Sequence, residues 1–135
     1  MARSVAFRLV AAGALLFATT ARPTQASAQD LEILASAHTN NREQTVIFLV
    51  QRSAHASELR VRTGSLAVTL VSMEIEFHDG SLQRTILREP VPAGQQSRAI
   101  PVDPSRPIAK VFLEKQAGLR PGSTAIQLLG KVVHP

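Results

Sequence analysis

Apolar and polar positions alternate without a break over Val71-Ser72-Met73-Glu74-Ile75-Glu76-Phe77-His78. Successive side chains of a strand point to opposite faces, so Val71, Met73, Ile75 and Phe77 fall on one side and the charges on the other. Asp79-Gly80 follows. It pairs a residue that tolerates turns with one that takes φ > 0 at no steric cost, the strongest short-range hairpin signal. The return strand, ending near Arg88, carries Leu82, Ile86 and Leu87. The pattern predicts an antiparallel hairpin with one face on a core and one in water.

The rest of the chain has the same texture. Leu31–Ala35 is a first strand, and polar Ser36–Gln44 with Asn40-Asn41 reads as a loop. Thr45-Val46-Ile47-Phe48-Leu49-Val50 is a continuous β-branched and apolar run. Such a run suits a strand buried on both faces inside a sheet, because on an edge it would invite aggregation. Gln51–Ser57 reads as a loop. Leu59–Arg62 alternates up to Gly64, and Leu66–Leu70 alternates into the hairpin. Two prolines and a glycine make Glu89–Gln96 a connection. Strands are predicted over Ser97–Val102, Ile108–Glu114 and Thr124–Leu129, separated by the turns at Asp103–Pro107 and Leu119–Gly122. About eight short strands with turn chemistry between them predict an all-β, antiparallel sandwich or jelly roll.

The first residues read as a processing segment. Arg3 and Arg8 precede the apolar run Leu9–Ala18, and Ala26-Ser27-Ala28 offers small residues before a cut. That is the secretory pattern, with cleavage expected first after Ala28 and, as alternatives, after Ala26 or Ala21. The apolar run is about half of the ~20 residues that a spanning helix needs. No second run of that length follows, so no transmembrane segment is expected in the processed chain. Residues 1–28 are thus expected as signal peptide and 29–135 as one β-sandwich domain, periplasmic or secreted. Its 107 residues suit a single core.

Composition narrows the function. Loss of Arg3, Arg8 and Arg22 with the leader brings the net charge from +5 to +2. No basic run or aromatic platform accompanies it, so no nucleic-acid partner is expected. The chain has no Cys, which excludes thiol catalysis, Cys-bound zinc and disulfides. It also lacks Trp and Tyr, the residues on which sugar-binding faces stack pyranose rings. No Gly-x-Ser-x-Gly elbow or phosphate-cradling glycine loop occurs, and no cofactor is expected.

What remains are charged side chains. Arg60 and Arg62 share a strand face, and with Arg84 and Arg88 they could form a basic patch for an anionic glycan or lipid surface. The plainer reading is charge compensation of Glu74 and Glu76. Those two carboxylates lie about 7 Å apart on one strand face. Carboxylate pairs can hydrolyse glycosides, but they usually come from different strands in a cleft. His78-Asp79 at the hairpin tip could bind a ligand, since His titrates near neutral pH; the plainer reading is a solvated turn. The histidines His38, His55, His78 and His134 are scattered, so no metal site is expected. Of Arg98 and Arg106, which flank the proline loop and its following turn, one is expected to bond loop carbonyls.

Several of these features together resemble a family of small exported bacterial β-sandwich proteins of unknown function, similar to galactose-binding-like jelly rolls. They are the alternating strand before Asp79-Gly80, Gly94 followed by Ser97-Arg98-Ala99-Ile100, Arg106-Pro107-Ile108 with Val111, and Leu128-Leu129-Gly130. Members often carry an acidic turn before the second strand; here it is Asn40-Asn41-Arg42-Glu43, which weakens a metal role. The resemblance implies fold and export and carries no activity.

The expected protein is a non-enzymatic binding or structural module of the cell envelope, with a glycan, an anionic lipid or a protein as partner. Its candidate binding residues are Arg60, Arg62, His78, Asp79, Arg84 and Arg88, with no catalytic residue. The alternative is a small glycan hydrolase using Glu74 or Glu76. A third option is an edge-strand protein that oligomerises.

Overall fold

The computed structural model describes residues 31–134, which hold eight strands and no helix. The expected leader and its cleavage site lie outside the described residues. The strands are β1 (Leu31–Asn40), β2 (Thr45–Ala54), β3 (Ala56–Thr63), β4 (Val68–Phe77), β5 (Leu82–Val91), β6 (Ile100–Pro101), β7 (Ile108–Lys115) and β8 (Ser123–Val132). They form two four-stranded sheets, ordered β1-β8-β3-β6 and β2-β7-β4-β5. Only the β4–β5 hairpin stays within one sheet; every other connection crosses to the opposite one. This is the double-sheet jelly roll, as the spacing of strands and turns predicts.

The core lies between the sheets. Phe48 of β2, Leu59 and Val61 of β3, Met73, Ile75 and Phe77 of β4, Val111 and Leu113 of β7, and Ile126 and Leu128 of β8 are all at most 1 % exposed. The predicted hairpin face therefore holds for Met73, Ile75 and Phe77, and Glu74 and Glu76 point outward. It fails at Val71. The pairing of β4 with both neighbours shifts between Leu70 and Ser72. That bulge turns Leu70 into the core and leaves Val71 half-buried. On β5, where Arg88 takes φ +47°, the alternation runs unbroken, with Leu87 facing in alongside Gln83 and Thr85 and with Leu82 and Ile86 exposed; only on β4 does the parity change. A bulge changes which parity faces in, and no alternation reveals it.

Four other expectations are corrected. β1 runs on to Asn40, so the loop shrinks to a tight turn in which Asn40 Oδ1 accepts from the N–H groups of Arg42 and Glu43. β2 continues to Ala54 and β3 starts at Ala56, leaving His55 alone between them. β5 extends through Pro90 to Val91, which an edge strand tolerates because it has a side with no ladder to serve. The predicted strand at Ser97–Val102 contracts to Ile100–Pro101.

The largest correction concerns β2. It is not inside its sheet but at the edge, pairing only with β7 among the described residues. Val46 and Phe48 are buried, while Ile47 and Leu49 are 51 % and 58 % exposed. A continuous apolar run does not separate a strand buried on both faces from one with an apolar outer face.

Candidate functional site

The six residues singled out in the sequence do not assemble. Arg60 and Arg62 stand on the outward face of β3. Arg60 Nε donates to Glu58 Oε2 at 2.7 Å, and Arg62 donates through Nε and Nη2 to Gln127 Oε1, the former at 2.9 Å. Both are thus tied within their own sheet. Arg84 and Arg88 lie on β5 in the other sheet, and Arg84 faces Glu74 across the ladder. The basic patch is split between the outer faces of two opposed sheets.

The hairpin tip is a built turn. Asp79 Oδ1 accepts from the Ser81 N–H at 2.8 Å and from its hydroxyl at 2.5 Å. These bonds, the hydroxyl first, hold the Asp79 carboxyl below its ordinary range. Gly80 takes φ +87°. The His78 side chain is exposed, and its backbone N–H donates to Pro107 O at 2.9 Å. Asp103 repeats the device, accepting from the Ser105 N–H at 3.0 Å and hydroxyl at 2.7 Å. Arg106 joins the two turns, reaching Asp103 Oδ2 through Nε and Ser81 Oγ through Nη1.

Arg98 bonds carbonyls, but those of strand β5 and not of the loop as expected. Its Nη1 and Nη2 reach Leu87 O at 3.2 Å and Ile86 O at 3.1 Å, so the guanidinium ties down the chain just before the Arg88 bulge. Lys115, which the sequence does not mark, is 3 % exposed. Its Nζ donates to Asn40 O at 3.1 Å and to Glu43 O, pinning the β1–β2 turn. Burial lowers its pKa, and the nearby Glu43 carboxylate opposes that shift. Glu43 is itself lowered, first by the Asn40 N–H and then by the Thr39 hydroxyl.

The structure opens a cleft elsewhere. A cleft of about 450 Å³ opens where the start of β1, the end of β2 and the end of β8 meet. Its apolar walls are Ile33, Leu34, Val50, Val132 and Val133, and its polar groups include Glu32, Ser53, His55 and His134. Local geometry makes the space. β2 pairs regularly with β7 through Leu49, then regains register only at Ala54 opposite Ile108, so its last residues swing off the ladder. Gly130 of β8 lets Leu34 approach closely, since a Cβ there would stand 2.5 Å from Leu34 Cδ1. His55 Nδ1 lies 2.9 Å from Pro104 O, and its carbonyl accepts from the Val133 N–H at 2.6 Å. His134 Nε2 sits 4.0 Å from Glu32 Oε2.

Sequence reasoning missed this site. His55 and His134 are 79 positions apart, and only the crossing of strands between sheets brings them together. No group of three or more metal-ligating side chains gathers among the described residues. No helix among them is long and apolar enough to cross a membrane. Glu74 and Glu76 do not line the cleft. They sit half-buried on the outward face of β4, beside Phe112 and Lys110 of β7.

No protein-family model matches the chain, and no curated protein matches it by sequence. Solved structures match by fold. The chain superposes on AlgX of Pseudomonas aeruginosa with a TM-score of 0.52 at 11 % identity, over 76 % of this chain and 27 % of that one. A putative alpha-L-fucosidase from Bacteroides thetaiotaomicron gives 0.47 at 11 % identity, over 77 % and 23 %. CpGH89CBM32-4 of Clostridium perfringens, in complex with glcNAc-alpha-1,4-galactose, gives 0.47 at 14 % identity, over 73 % and 76 %. The chain spans about a quarter of AlgX and of the fucosidase. The AlgX match supports the β-sandwich fold and nothing finer.

Proposed function

We propose that the chain is an exported, non-enzymatic binding module whose ligand site is the cleft between the ends of β1, β2 and β8. One observation carries the reading: three separate strands converge on a concave site, mostly apolar, with a few polar groups at its margin. Ligand pockets have that composition and a volume of about 300–1,000 Å³. Ile33 and Val133, 55 % and 40 % exposed, leave apolar surface open to a ligand there. Among the described residues the lining contains no Phe, Tyr or Trp ring on which a pyranose could stack. It suits an envelope amphiphile, its apolar body against Ile33, Val50 and Val133, its hydrogen-bonding end at Ser53, His55 and Glu32. The leader pattern supports export.

The hydrolase alternative is disfavoured by placement. Both of its carboxylates sit on one strand of an outer sheet face, whereas glycoside hydrolysis needs two carboxyls flanking one bond. A thermal-shift titration with lysophospholipid and fatty-acid probes and with envelope oligosaccharides tests the reading. A dose-dependent rise in Tm with an amphiphile, lost in Ile33→Arg, supports it. A rise that survives Ile33→Arg but is lost in Arg60→Ala/Arg62→Ala would move the site to the outer face of β3.

A further inference from the structure

The sandwich has four edge strands, and three of them are guarded. β5 carries Arg84, the Arg88 bulge and Pro90. β6 is two residues long and includes Pro101. β1 presents the exposed side chains of Glu32 and His38. Charge, proline, bulges and shortness are the devices by which natural sheets prevent edge pairing. β2 has none of them from Thr45 to Leu49; its register breaks only beyond Leu49. The segment holds no charge, proline or glycine, and its register with β7 is unbroken from Thr45 to Leu49. Its outer side chains Ile47 and Leu49 are half exposed or more. Among the described residues no strand pairs with its outer side, so it offers unpaired backbone groups flanked by apolar surface.

We infer that this edge pairs antiparallel with the same edge of a second copy of the chain, about a two-fold axis at Ile47. The occupant is argued from self-complementarity. The regular ladder Thr45–Leu49 has Ile47 at its midpoint, so the two-fold places Ile47 opposite Ile47 and Thr45 opposite Leu49. Outward residues then meet outward residues, as the pleat requires. The two four-stranded sheets become one of eight strands. Phe112, beside Ile47 on β7, extends the apolar row on both sides.

Charge sets the direction. Lys110 stands next to Leu49 and Glu114 next to Thr45. Antiparallel pairing directs the Lys110 end of one copy at the Glu114 end of the other, and parallel pairing would set like against like. The opposed charges are three strand spacings apart, about 14 Å, so they bias orientation and supply little affinity. A single strand pair is small beside the roughly 1,200–2,000 Å² of a stable interface, which makes the dimer reversible and concentration-dependent.

Sedimentation velocity of the purified chain over a concentration series tests this, independently of any ligand in the cleft. The expected result is a shift from monomer toward dimer mass with rising concentration. Ile47→Lys abolishes the shift with an unchanged melting curve. Leu82→Lys, at a side chain as exposed as Leu49 but on the opposite edge of the same sheet, leaves it intact. The chain has no native Cys, so Ile47→Cys gives a second readout. Directly opposed antiparallel residues lie about 4.5–5.5 Å apart at Cα, within disulfide reach, and mild oxidation yields a covalent dimer. Any of three results would overturn the inference. These are monomer mass throughout, dimerisation that survives Ile47→Lys, and dimerisation lost equally in Leu82→Lys.

Discussion

Arg106 lays its guanidinium over the ring of Phe77, with Cζ 5.3 Å from the ring centroid. Phe77 closes β4 from within the core, and Arg106 starts the chain into β7. The same Arg fastens the turns at Asp79–Ser81 and Asp103–Ser105, so one residue ties the hairpin tip to the connection before β7. Arg106→Ala should lower stability by about 1 kcal/mol for the ring contact alone. Arg106→Lys should recover only part of the loss, because an ammonium lacks the planar fork that serves Asp103 and Ser81 together. Urea midpoints of the two variants check this.

Phe77 and Glu76 are neighbours in sequence and opposites in environment. Phe77 is 1 % exposed, and Glu76 stands on the outer face. Phe77→Ala should cost about 3–5 kcal/mol, as large core truncations do. Glu76→Ala should stay within about 0.5 kcal/mol. Equal costs in a denaturant titration would mean that the strand faces are inverted.

Gly130 is fixed by what surrounds it. An added methyl would meet Leu34 Cδ1 at 2.5 Å and Leu59 Cδ2 at 3.3 Å. Gly130→Ala should therefore destabilise by about 1–3 kcal/mol, the usual cost of overpacking. Adding Leu34→Ala should return part of that loss, and a double-mutant cycle reads the coupling. Additive losses would contradict the packing described at the floor of the cleft.

Lys115 makes a pH prediction. Its folded pKa is depressed by burial below the ordinary 10.5. Between the depressed value and 10.5 the unfolded chain binds more protons than the folded one, so stability rises with pH across that window. The burial cost is thus felt at neutral pH and relieved in alkali. The chain has neither Tyr nor Cys, so few other side chains titrate there. The stability of the parent chain minus that of Lys115→Met should increase from pH 8 toward pH 10.5 in urea titrations. A flat difference would contradict the burial of the ammonium.

The fold was legible because strand alternation and turn chemistry are local. Val71–Phe77, Asp79-Gly80 and the proline turns carry their structure in adjacent residues. A bulge broke the alternation at Val71, since one added residue reverses parity without changing composition. The edge position of β2 was hidden because Val46–Val50 reads alike on an edge or in the middle of a sheet. The candidate site was scarcely legible at all. The charged residues that stand out in sequence, Arg60, Arg62, Arg84 and Arg88, are separated by the division into two sheets. The cleft is lined by aliphatic side chains and two distant histidines that only topology unites.

The cleft between β1, β2 and β8 is where the proposed ligand binds. Amide chemical-shift mapping with a lysophospholipid below its micellar concentration tests it most directly. An amphiphile seated in the cleft gives saturable shifts at 32–34, 50–55 and 132–134, absent in Ile33→Arg. Saturable shifts confined to the outer faces, around Arg60 and Arg62 or around Glu74 and Arg84, would contradict it, as would no shift from the amphiphile alongside binding of an oligosaccharide elsewhere.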